Sequence, residues 1–152
     1  MSANEQQIGG NHYKTEYEHW DLVLSTGMDY LAGCATKYVS RWRKKNGIED
    51  LRKALHYLNK LQENMDLIMH RTVPLWHKRY AEVKRFAEIN KLTRTEANFC
   101  GHLVEWVDSV QPALVLDCAR QELFELMDQA ENPVPLTEEN HYSERANAER
   151  KS

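Results

Sequence analysis

Leu51, Ala54, Leu58, Leu61, Met65 and Ile68 follow one another at spacings of 3, 4, 3, 4 and 3, so a single long helix with one apolar seam is written into the middle of the chain. An apolar stripe of that regularity must be buried against another helix, either of the same bundle or of a second copy. Both partners remain open at this level. Apolar residues keep helical spacing almost throughout the interior, and no run alternates with period two. The expected fold is therefore all-α, a small bundle of about six helices around a central helical hairpin.

Punctuation residues divide the chain accordingly. A short helix is expected over about Thr15 to Ser25, ended by Gly27, and a second over Met28 to Lys45. Asn46-Gly47 supplies a turn, and the long helix starts near Ile48 with Glu49 and Asp50 favourably placed in its first turn. Thr72-Val-Pro74 marks a break before a helix through Leu75 to Lys91. Thr93-Arg-Thr-Glu96 has the form of a capping box opening the fifth helix, and Pro112 suits the first turn of the sixth. Residues 1–131 thus read as one helical domain, with residues 132–152 a polar flexible tail.

The helix over 28–45 carries the chemical signal. Tyr30, Gly33, Lys37, Arg41 and Lys44 stack along one stripe, and Gly33, costly by about 1 kcal/mol in a helix, leaves room on it. Aligned like charges repel, which calls for compensating carboxylates or a bound phosphate. Residues 28–60 hold eight Lys or Arg against three acids, whereas residues 93–131 hold two against eight. One half binds an anion, or the halves pair with each other or with a second subunit.

Other classes find little support. There is no phosphate-cradling glycine loop of the P-loop or dinucleotide-binding type and no metal-ligand histidine spacing. Three widely spaced cysteines suit reduced thiols in a cytosolic protein, and neither a secretion signal nor a membrane span is expected. A net charge of −3 and the acidic second half disfavour a nucleic-acid partner. Glu105, Asp108, Glu122, Glu125 and Asp128 are spaced to gather magnesium as in helical nucleoside triphosphate pyrophosphatases, although solvated helix faces are the commoner explanation of such acids.

Gly10-Asn-His-Tyr13, then Gly33-Cys-Ala-Thr-Lys-Tyr38-Val-Ser-Arg41, Lys44-Lys45 and Glu49-Asp-Leu-Arg-Lys-Ala54-Leu-His-Tyr57-Leu58 resemble a family of small bacteriophage proteins mostly known as a domain of unknown function. Its members include a nucleotide kinase of a lytic coliphage that carries this unit at its carboxyl end. The resemblance covers about residues 8–61, within a module over 8–70 to which residues 71–131 add further helices. It implies a nucleotide-binding protein acting in the cytoplasm of an infected host, in its enzymatic form a deoxynucleoside monophosphate kinase using Mg2+ and ATP; the heptad seam of the long helix, apart from the resemblance, suggests a homo-oligomer joined through it. On that reading Tyr13, Lys37, Tyr38, Arg41, Lys44, Lys45 and Lys53 bind nucleotide and phosphate. Asp50 holds magnesium and His12 closes the site as a phosphate contact or proton donor. The runner-up is a protein that sequesters a nucleotide, such as a host defence signal, without turnover. A structural clasp, with Lys37 or Arg41 paired to Asp50 or Glu49 across the hairpin, competes with both.

Overall fold

The computed structural model describes residues 15–69 and 76–133, with side chains from 79 onward in the second stretch. His12, Tyr13, the break at 72–74 and the tail beyond 133 lie outside the described residues. Among the described residues seven α-helices follow one another: α1 (His19–Thr26), α2 (Tyr30–Arg41), α3 (Ile48–Glu63), α4 (Met65–Ile68), α5 (Trp76–Asn90), α6 (Arg94–Glu105) and α7 (Pro112–Glu131). The regular elements among the described residues are all helical, and none is long and apolar enough to cross a membrane.

Each helix begins and ends where local chemistry requires it. Asp29 caps α2 by accepting from the backbone N–H of Leu31 and Ala32 at 2.8 and 3.1 Å. Gly27 stops α1 in the left-handed region at φ 66°, and Gly47 takes φ 56° in the turn before α3. The capping box at α6 is present in full, with Glu96 accepting from the Thr93 N–H at 2.7 Å. Three boundaries differ from expectation, the first being α1, which starts at His19 and not near Thr15. The long helix breaks at Asn64 and resumes as α4, and α2 stops at Arg41 and tightens into a 3-10 turn over Trp42–Lys44.

That tightening has a cause in packing. Trp42 is buried in the core and its indole N–H donates to Glu96 Oε1 at 2.8 Å. Arg43, beside it, pairs with Glu96 Oε2 at 2.6 Å. The turn delivers two consecutive side chains to one carboxylate on α6.

Helices α2, α3, α7 and α6 form a ring in which each packs on the next, enclosing Ala35, Val39, Leu51, Leu58, Phe99, Leu103, Leu116 and Leu123. The opposite face of α6 presents Ala97, Cys100 and Val104 to a second core with Leu22 of α1 and Val83 and Phe86 of α5. The apolar seam of α3 is spent inside this ring: Leu51, Ala54, Leu58 and Leu61 are fully buried and Ile68 nearly so. Within the chain α2 and α7 cover that seam. The charge asymmetry is likewise met within the chain, by Arg43 with Glu96 and, at the surface, Arg52 with Glu131.

Glu96 is only 2% exposed and also accepts from the Thr93 hydroxyl at 3.1 Å. Removing it strands a buried indole N–H and leaves Arg43 without its counter-charge, at a cost of about 2–4 kcal/mol. Glu96→Ala should lower the urea midpoint accordingly, while Glu63→Ala, whose exposed Lys60 pair contributes little, should leave it unchanged.

Candidate functional site

The cationic stripe of α2 lies over the first two turns of α3, and most of its partners come from there. Arg41 Nε stands 3.1 Å from Asp50 Oδ2, and Asn46 Nδ2 donates to Asp50 Oδ1 at 3.0 Å. Asp50 is 0% exposed, so its charge is held by these donors and not by water. Lys53 pairs with Glu49 at 2.7 Å and lies 4.0 Å from Asp50; the Glu49 carboxylate pushes the Lys53 pKa up. The clasp across the hairpin is real, and it is made by Arg41 with Asp50.

Aromatic rings line the same side. Tyr38 and Tyr57 stack with centroids 5.8 Å apart and planes 20° from parallel, and Tyr30 meets Tyr57 edge-on at 6.3 Å. The Arg41 guanidinium lies over the Tyr38 ring at 4.7 Å and the Lys53 ammonium at 5.9 Å. Tyr38 is thus engaged by protein on its faces, whereas Tyr30 is 72% exposed. Trp42 is buried and bonded to Glu96, so its ring is not open to a ligand.

Charge neutralisation is incomplete. Among the described residues no carboxylate pairs with Lys37 or Lys44, and both are exposed. Lys45 is also exposed, in the turn leading to α3. Gly33 does not open a ligand space, because a Cβ there would stand 3.3 Å from Val23 Cγ2; the missing side chain admits α1.

His19, not singled out from sequence, joins the stripe from α1. Its Nε2 lies 2.9 Å from the Thr36 hydroxyl, one residue before Lys37, and its ring meets Phe86 edge-on at 5.8 Å. Burial, with Lys37 and Arg41 nearby, pushes its pKa down to about 4. The only sequence signal for this contact is the pairing of a histidine opening α1 with a threonine on the apolar side of α2.

The carboxylates of the second half do not gather. Glu122 accepts from Asn98 at 3.0 Å, Glu125 from Thr95 at 3.1 Å, Asp128 from Asn132 at 3.0 Å, and Asp108 pairs with Arg79. No group of three His, Cys, Asp or Glu among the described residues is arranged to hold a metal ion. A magnesium ion at Asp50 would have to displace Arg41 or Asn46, so that buried carboxylate does not fit an open coordination site.

Residues 9–59 match the model of a family described as a protein of unknown function, DUF3310. The match covers α1, α2 and most of α3, the same stretch that bears the clasp, the aromatic rings and the unpaired lysines. No curated protein and no solved structure matches the chain.

Two outcomes follow from this geometry. Asp50→Asn should destabilise the fold by about 2–4 kcal/mol in chemical denaturation, since Arg41 keeps its charge and loses its partner. For His19, the folded pKa lies below the unfolded value of about 6.5, so its contribution is complete above that pH and is lost as pH falls toward 4. The loss is on the order of 3 kcal/mol. Denaturation of wild type and His19→Gln between pH 7 and about 4.5 should show the steeper decline in the wild type.

Proposed function

We propose that the α2–α3 hairpin binds a nucleotide, with Lys37 and Lys44 taking phosphate oxygens and Tyr30 offering its ring to the base. The observation that carries this reading is the residual charge. The clasp consumes Arg41, the α6 hub consumes Arg43 and Glu49 consumes Lys53, yet Lys37 and Lys44 stay exposed with no carboxylate partner among the described residues. Tyr30 and Lys37 stand two turns apart on one helix face, about 10 Å along its axis, a span that long side chains on either end bring within the length of a nucleotide. Ammonium groups suit phosphate as point charges, and an exposed tyrosine face suits any base.

The resemblance to small bacteriophage proteins supports placing this activity in an infected bacterium. Between the two forms of the proposal, binding without turnover is the better supported, because Asp50 is committed to Arg41 and Asn46. In the enzymatic form ATP would donate a phosphoryl group to a deoxynucleoside monophosphate with Mg2+ neutralising the phosphates. A protein that sequesters nucleotides needs the cations alone.

Calorimetric titration with linear and cyclic deoxynucleotides, with and without magnesium, separates these forms once the recovered ligand is inspected. Binding with unchanged ligand supports sequestration; conversion of monophosphate to diphosphate in the presence of ATP supports the kinase. Lys37→Ala and Lys44→Ala should each weaken binding by about tenfold, the loss of a charge-assisted contact. Tyr30→Ala should cost about 1–3 kcal/mol for nucleotides and nothing for inorganic phosphate. Unchanged affinity in the double lysine variant would remove the proposal.

A further inference from the structure

Thr36 has one hydroxyl proton and several acceptors around it. Its Oγ1 lies 2.9 Å from the Ala32 carbonyl and 3.1 Å from that of Gly33, with the Met28 sulfur at 3.6 Å. The hydroxyl therefore donates into its own helix, and His19 Nε2, at 2.9 Å, must be the donor toward Thr36. This assigns the neutral ring as the Nε2–H tautomer, leaving Nδ1 as the basic nitrogen, for which the described contacts hold no hydrogen-bond donor.

Among the described residues, the groups given against that ring come from two helices. From α2 come Thr36, Lys37 and Arg41, and from α5 comes Phe86. Glu82 and Arg85 of α5 are turned to Tyr17, and Glu18 and Asp21 are occupied in the α1 capping box. Burial holds His19 neutral first, and the charges acting on it from α2, Lys37 and Arg41, push the same way. An anion seated on the stripe offsets the cationic share of that effect.

We infer that His19 is a third phosphate-binding residue of the α2 site, which takes up one proton from solvent at Nδ1 when phosphate binds beside Lys37. This rests on the nucleotide-binding reading above and adds to it a residue from a different helix and a proton linkage. Phosphate supplies the negative charge that offsets Lys37 and Arg41, so protonation and ligand binding favour each other, reciprocally. Thr36 fixes the ring, so that the proton arrives on the nitrogen that is not already bonded.

The test is ring nitrogen NMR of the full-length labelled protein, titrated in pH with and without saturating deoxyadenosine monophosphate or triphosphate, with His19→Gln identifying the resonance. The His19 midpoint should rise by about one unit or more in the presence of either nucleotide, equivalent to about tenfold tighter binding to the protonated protein. Affinity should accordingly weaken with rising pH more in wild type than in His19→Gln, a comparison that cancels the titration of the ligand's own phosphate. Nucleotide binding with an unmoved His19 midpoint overturns this inference and leaves the site standing. Absence of binding by both nucleotides overturns the site and this inference together.

Discussion

The carboxylate of Glu96 is the point on which the two halves of the molecule meet. It closes the capping box that starts α6, receives the indole N–H of Trp42 and neutralises Arg43, all while buried. A buried charge is tolerated only when its lone pairs are filled, and here every donor comes from a different structural need. The bond to Trp42 is made because α2 tightens after Arg41, which also determines where Lys44 and Lys45 emerge. The hairpin is thereby held to the acidic half by a polar contact embedded in the apolar ring of α2, α3, α7 and α6.

The second buried acid, Asp50, does a related task within the hairpin. Arg41 and Asn46 fill its oxygens, and Tyr38 lies beneath the Arg41 guanidinium. A clasp of this type and a ligand site are not exclusive readings of a cationic helix. Once the internal carboxylates are satisfied, Lys37 and Lys44 pair with no carboxylate among the described residues, and that remainder is what points outward to an anion. The stretch matched by the DUF3310 family contains the clasp, the rings and the surplus lysines together.

His19 shows how a neighbouring helix alters the chemistry of the stripe. Gly33 admits Val23 of α1 so closely that the start of the same helix comes against Thr36. Glycine, placed from sequence as an opening for a ligand, works instead as the seat of α1. Close approach of the two helices brings a titratable ring to the cations, and burial with their charge keeps that ring neutral at ordinary pH.

Local chemistry in the sequence was enough to determine the helices, because caps, turns and apolar periodicity act over a few residues: Asp29, Gly27, Gly47 and the box of Thr93 with Glu96 all act where they stand. It also marked Lys37, Tyr38, Arg41, Lys44 and Lys53 as neighbours on one hairpin, since helical spacing alone places them there. Tertiary structure decided which of them are occupied. Periodicity reports that a seam is buried but not against what, so only packing showed the α3 seam facing α2 and α7. Likewise a cation's partner is set by long-range approach: Arg43 finds Glu96 more than fifty residues away, Trp42 turns inward with it, and His19 reaches Thr36 from another helix.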